Sequence, residues 1–190
     1  MTRIDSGPTQ IYQIKITLHG SRPPIWRRLQ VKSDITLAKL HRILQAVMGW
    51  TDSHFHRFLI QGKPYGIPGQ DVISLAGTID ERRYKLEKVG LRATFRFTYS
   101  YDFGDAWEHA LLVEKVLSPQ EGARYPVCMA GERGCPPEDV GGMPGYEAFL
   151  AATSNPQHPE HKEYLEWIGG PFDPEAFDVS DINRRLHCIK

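Results

Sequence analysis

Three observations in the sequence predict an α+β roll, a single domain whose mixed, mainly antiparallel sheet packs against helices. Two pairs of alternating apolar and polar runs are each joined by a turn. One strongly amphipathic helix lies between the pairs, and further helical patterns gather at the C-terminus. The regular strand-helix-strand alternation that a parallel sheet requires is missing. At 190 residues, 41% hydrophobic and 24% charged, the chain has the size and composition of one globular domain.

Met1 to Gln10, with Gly7 and Pro8, reads as a flexible N-terminal arm, which leaves residues 11–190 for the domain. Tyr12, Ile14, Ile16 and Leu18 alternate with polar residues, a period of two that places them on one face of a half-buried strand. After the turn formers of Gly20 to Pro24, Ile25, Arg27, Leu29 and Val31 alternate with Trp26, Arg28, Gln30 and Lys32, so the two runs form a hairpin. Adjacent arginines point to opposite faces of a regular strand, so at least one of Arg27 and Arg28 must be solvated or paired with an acid.

Thr36 caps a predicted helix whose Leu37, Leu40, Ile43, Leu44, Val47 and Met48 form one stripe at spacings of three and four. Gly49 stands where a left-handed residue ends a helix, and Trp50 where an apolar side chain folds back on the last turn. His54 to Ile60 reads as a strand, Gly62 to Gly77 as an irregular excursion, and Thr78 to Gly90 as a short helix or turn. Ala93 to Tyr101 alternates again. After the loop Asp102 to Ala106, Trp107 to Leu117 returns, giving a long hairpin with an acidic tip. Tyr125 to Gly145, crowded with proline and glycine, reads as a loop, with helices near Tyr146 to Thr153, Glu160 to Ile168 and Ser180 to Cys188.

No apolar run reaches the roughly 18 residues of a membrane span, and the N-terminus lacks the apolar core of a secretion signal. A cytoplasmic protein with no membrane partner is therefore expected. The cysteines, Cys128, Cys135 and Cys188, are odd in number and do not suit a secreted disulfide framework. Net charge is zero but divided: residues 1–100 carry 16 Lys/Arg against 7 Asp/Glu, and residues 101–190 carry 7 against 16, or +9 and −9. Either the halves pack together and neutralise each other, or a basic face built on Arg22, Arg27, Arg28 and Lys32 meets nucleic acid or an acidic protein.

Three clusters have residue types that carry chemistry. In Tyr99 to His109, the carboxylates Asp102 and Asp105 in the hairpin tip, with His109 on the returning strand, point to a divalent metal site or an acid-base pair. The same aspartates equally serve their own turn, hydrogen-bonding its backbone while Gly104 takes positive φ. Cys128 and Cys135 in the Pro/Gly segment offer thiolates to zinc, although six residues intervene where structural zinc sites show two to four. Glu138 and Asp139 follow them, available as further ligands or as caps of the next turn. His54 and His56, two apart, share one strand face, a spacing that metals use and that a solvated edge also explains. No nucleophile elbow surrounds Ser33, Ser53 or Ser74, and no phosphate-binding glycine loop occurs.

Arg22-Pro-Pro-Ile-Trp-Arg-Arg, Met48-Gly-Trp50 followed by Ser53-His54-Phe-His56, Tyr101-Asp-Phe-Gly-Asp-Ala-Trp-Glu-His109 and Cys135-Pro-Pro-Glu-Asp-Val-Gly-Gly142 together resemble one family. It is the plasmid ORF-three-like family, named for a reading frame of the Ri plasmid pRiA-four-b, and the likeness runs from about Ile11 to about Leu186. The resemblance implies an α+β roll and an association with plasmids or mobile elements. It places Asp102, Asp105, His109, Cys135, Glu138 and Asp139 inside the family's recognisable stretches. Resolvase labels carried by some relatives find little support here, because a serine recombinase needs a basic DNA-binding tail and this C-terminal half carries −9. The leading functional expectation is a non-catalytic binding module for nucleic acid or an acidic protein. The alternatives are a metal-dependent hydrolase using Asp102, Asp105 and His109 with Glu138 or Asp139, and a protein-interaction scaffold.

Overall fold

The computed structural model describes residues 8–69 and 77–189. Residues 1–7 of the expected arm and residues 70–76 of the expected excursion lie outside the described residues. The strands are β1 (Ile11–Leu18), β2 (Trp26–Lys32), β3 (His56–Ile60), β4 (Lys63–Gly66), β5 (Ile79–Asp80), β6 (Arg96–Tyr101), β7 (Trp107–Leu117) and β8 (Val127–Glu132). The helices are α1 (Leu37–Met48), α2 (Gly142–Ser154), α3 (His161–Ile168) and α4 (Val179–His187). Two short 3-10 turns, Glu81–Arg83 and Leu86–Lys88, occupy the segment expected to be a short helix or turn.

The strands form one sheet in the order β5-β4-β3-β6-β7-β1-β2-β8. Among the described residues every pairing is antiparallel except β4 with β5, so the sheet is mixed and the α+β class holds. Both expected hairpins form: Ile14 faces Leu29 in the first, and Tyr101 faces Trp107 in the second. Alternation then sends Ile14, Ile16, Leu29, Phe97, Tyr99, Leu111 and Val113 into one cluster with Leu37, Leu40, Ile43 and Val47 of α1. Each fully buried large side chain of this kind contributes about 1.5–3 kcal/mol.

Helix α1 has the predicted ends. The Thr36 hydroxyl accepts from Lys39 N at 3.2 Å, and Gly49 takes φ 83°, donating to Gln45 O. Two polar residues, His41 and Gln45, lie one turn apart on its buried side, each 4% exposed. They open the way to the site.

Three expectations are corrected. Strand β8 arises inside the expected Pro/Gly loop because β2 supplies a partner edge. Gly131 permits its close approach, since a Cβ there would lie 2.7 Å from Trp26 O and 2.5 Å from the Phe177 ring. Strand β3 begins at His56, so His54 lies in the preceding bend and the two imidazoles do not share a strand face. Arg27, expected on a basic face, is 3% exposed. Its guanidinium donates to the carbonyls of Val47, Trp26, Glu132 and Arg133, satisfying the buried charge with backbone dipoles. Arg28 points the other way and is held bidentate by Glu114 at 2.6 and 2.8 Å.

Candidate metal centre

Three segments distant in sequence meet at one end of the sheet: residues 51–55 between α1 and β3, residues 102–106 between β6 and β7, and residues 133–141 between β8 and α2. Backbone hydrogen bonds dock the first two, with Asp102 N donating to Phe55 O at 2.9 Å. Asp105 joins the second to the third. Its Oδ2 accepts from Gly141 N at 3.0 Å, and Gly142 beside it has no room for a side chain, because a Cβ would lie 2.5 Å from Asp105 O. The glycine pair therefore lets the acidic hairpin tip and the Pro/Gly segment touch.

Asp102 takes φ 53°, a left-handed value that aspartate tolerates better than most residues. Its Oδ1 accepts from Gly104 N and Asp105 N, closing the turn, which leaves Oδ2 turned toward His54. Asp139, also left-handed at φ 60°, brings Oδ1 to 2.8 Å from His54 Nε2, and Asp102 Oδ2 lies 3.6 Å from the same nitrogen. Nε2 is buried, and neither contact has hydrogen-bond geometry. Two ligand atoms each about 2.1 Å from one ion stand about 3.0–3.4 Å apart at octahedral or tetrahedral angles; the separations of 2.8 and 3.6 Å bracket that window, so shifts of a few tenths of an ångström would seat a shared ion.

Behind this trio stands a second set of hydrogen bonds centred on the buried Tyr101. Its hydroxyl accepts from Ser53 N at 3.0 Å and His54 N at 3.3 Å and donates to Glu138 Oε1 at 2.5 Å. Burial first, and then the Glu138 carboxylate, raise the Tyr101 pKa, so the phenol stays protonated and donates. The other Glu138 oxygen accepts from Thr51 N at 2.9 Å and Thr51 Oγ1 at 2.6 Å. Trp50 stacks on Tyr101 at 5.1 Å and donates Nε1 to Pro136 O.

A cleft of about 490 Å³ opens beside His54, lined among others by His41, Asp52, His56 and Glu81. The His41 and His56 rings stack face to face, 3.4 Å between centroids and 3° between planes. His41 Nε2 meets Asp52 Oδ1 at 2.7 Å, and His56 Nε2 meets the buried Glu81 Oε2 at 2.9 Å. Asp52 only accepts, so His41 donates from Nε2. Gln45 donates to Tyr99 Oη, whose proton then serves His41 Nδ1 at 2.7 Å. Burial lowers the His41 pKa, which suits this neutral form. His41, Asp52 and His56 are near enough to surround an ion. Yet the lone pairs of stacked rings lie in two parallel planes that do not meet, and His41 Nε2 already carries the proton given to Asp52, so His54, Asp102 and Asp139 make the better centre.

The sequence-predicted residues thus separate. Asp102, Asp139 and His54 converge, whereas Asp105 and Glu138 bind loop groups. His109, expected beside Asp102, points into the core at 1% exposure with its edge against Trp50, because it shares strand parity with Trp107, Leu111 and Val113. The cysteines join no cluster of three metal-binding side chains among the described residues. Cys135 Sγ sits 2.9 Å from an Arg27 nitrogen, and burial raises that thiol to about 11; burial raises Cys128 as well. His41, Gln45, Asp52 and Glu81 belong to no motif of the sequence, and Tyr99 and Tyr101, which open the Tyr99 to His109 cluster, stand there as alternating strand residues. The available signal was His41, a polar residue four after Leu37 and three before Leu44 in an apolar stripe.

Fold and site together define an α+β protein with an open eight-stranded sheet and a convergent His/Asp cluster at its loop end. The chain belongs to the plasmid pRiA4b ORF-3-like protein family, whose model matches residues 10–181. It is 38% identical over 181 residues to the uncharacterized protein y4hQ of Sinorhizobium fredii, covering 93% of this chain and 90% of that one. It is also similar to the crystal structure of MM3350, a protein of unknown function from Methanosarcina mazei, with a TM-score of 0.80, 37% identity and coverage of 92% and 97%. No helix among the described residues is long and apolar enough to cross a membrane.

Proposed function

We propose that this chain is a divalent-metal-dependent hydrolase whose ion is held by His54, Asp102 and Asp139. One observation carries the reading: three side chains from three separate segments bring a nitrogen and two carboxylate oxygens within 4.8 Å of one another, beside a cleft. Three protein ligands leave coordination positions for water and substrate, as catalytic sites do and closed structural sites do not. One imidazole with two carboxylates suits zinc, manganese or cobalt, whereas calcium takes six to eight oxygens. A bound ion would lower the pKa of its water and polarise a carbonyl or phosphoryl oxygen.

Titration calorimetry with Zn²⁺ and Mn²⁺ on chelator-stripped protein, followed by a panel of chromogenic esters and phosphoesters, tests it. One ion per chain is expected, with affinity falling at least tenfold in His54→Ala and Asp139→Asn and with turnover dependent on the ion. Wild-type protein that takes up neither ion would end the reading.

A binding module for nucleic acid or an acidic protein is the second reading. The solvent side of the sheet supports it, where Lys15 and Arg28 lie over the Trp26 ring at 4.6 and 5.1 Å, with Arg22 and Lys32 exposed nearby in sequence. Arg27 no longer contributes.

A further inference from the structure

The three ligands of the proposed ion have a common feature of placement. Asp102 follows Tyr101, Asp139 follows Glu138, and His54 gives its own N–H to the Tyr101 hydroxyl. Each ligand-bearing segment is therefore tied, at the ligand or one residue away, to a single buried group. The Tyr101 hydroxyl accepts two N–H bonds from residues 53 and 54 and donates its own hydrogen bond to Glu138, whose second oxygen accepts from Thr51. Tyr101 is 0% exposed and stacked on Trp50, so the hydroxyl is fixed by the core rather than by the surface loops it joins. Neither Tyr101 nor Glu138 belongs to the trio that would touch the ion.

We propose that Tyr101 and Glu138 are positioning residues that hold His54, Asp102 and Asp139 at ligand separation, so that the hairpin tip, the bend after α1 and the Pro/Gly segment act as one preformed metal-binding unit. The inference rests on the metal reading above. Left-handed backbone at Asp102 and Asp139 strengthens the case, because carboxylates on such residues keep their direction only while the loops around them are pinned. Groups behind metal ligands orient them, and their loss typically weakens metal binding by 10–100-fold.

The test is zinc titration calorimetry on the full chain as wild type, Tyr101→Phe, Glu138→Gln and the double variant, with the Co²⁺ absorption spectrum recorded for each. Tyr101→Phe keeps the buried ring and removes only the hydroxyl, so it remains informative if Glu138→Gln does not fold. Zinc affinity is expected to fall 10–100-fold in each single variant and no further in the double, because the two residues act as a unit. The Co²⁺ bands are expected to shift as the ligand geometry loosens. Glu114→Gln, which loosens the ion pair with Arg28 on the solvent side of the sheet and touches none of the three ligand segments, serves as control and should leave the affinity and the spectrum unmoved. A folded Tyr101→Phe protein with wild-type zinc affinity and Co²⁺ spectrum overturns the positioning role while leaving the ion in place. Absence of zinc binding in wild type overturns the metal reading, and this one with it.

Discussion

A histidine enclosed by aromatic rings and strand backbone must stay neutral, because no opposite charge repays the desolvation of its cation. His109 is in that position, fully buried on β7, and burial holds its pKa down to about 4. In the unfolded chain the same imidazole titrates near 6.5. Above that value both states are neutral and His109 adds no pH dependence. As pH falls below about 6.5 the unfolded chain takes up a proton that the folded one refuses, so stability declines until about 4, by about 3 kcal/mol in total. His41 acts with the same sign, since burial lowers its pKa too. Urea denaturation of His109→Leu at pH 7 and pH 4.5 should show a smaller acid loss than wild type, with the His41 part retained. An equal loss in both proteins would show that His109 carries a proton in the fold. The residue also explains why the site was only half legible in the sequence: only six residues separate Asp102 from His109, but strand parity decides direction, and His109 alternates with core residues.

At the level of elements, legibility followed how local the determining interactions are. Helix α1 was readable end to end because its stripe, its Thr36 cap and its left-handed Gly49 all lie within its own fourteen or so residues. Strand β8 was not, because its partner β2 lies roughly a hundred residues earlier and its own sequence is short and glycine-containing. Its free edge is closed by a side chain from α4. Asn183 donates Nδ2 to Cys128 O at 3.0 Å and accepts from Cys128 N at 2.8 Å, as a neighbouring strand would. Asn183→Ala should cost about 1–3 kcal/mol, read as a lower urea midpoint, since it leaves both backbone groups of Cys128 without that partner. An unchanged midpoint would mean that the edge does not depend on α4. Gly142→Ala tests the other loop junction. Its Cβ would meet Asp105 O at 2.5 Å from a φ of 68°, so a loss of about 1–3 kcal/mol is expected, with weaker zinc binding as the hairpin tip and the Asp139 segment part. Wild-type melting and zinc affinity in Gly142→Ala would show that this contact is dispensable.

For the molecule as a whole, the +9 and −9 halves of the chain do not become two charged hemispheres. Strand β7, from the acidic half, lies between β6 and β1, and β8 closes the edge beyond β2, so the halves interleave within one sheet. Arg28 meets Glu114 across that interleaving, and the charge of Arg27 is spent on carbonyls at Val47, Glu132 and Arg133. Sequence charge counts order along the chain, whereas a phosphate backbone responds to order in space, so the division overstated the case for a basic face. Fluorescence anisotropy with duplex and single-stranded DNA at 50 and 200 mM salt should therefore give binding no tighter than the roughly 10⁻⁴–10⁻⁶ M of non-specific phosphate contacts at physiological salt. Sub-micromolar affinity that falls steeply with salt and is lost in Lys15→Glu would instead assign the solvent side of the sheet to nucleic acid, because Lys15 sits over Trp26 there and touches neither the cleft nor the His/Asp trio.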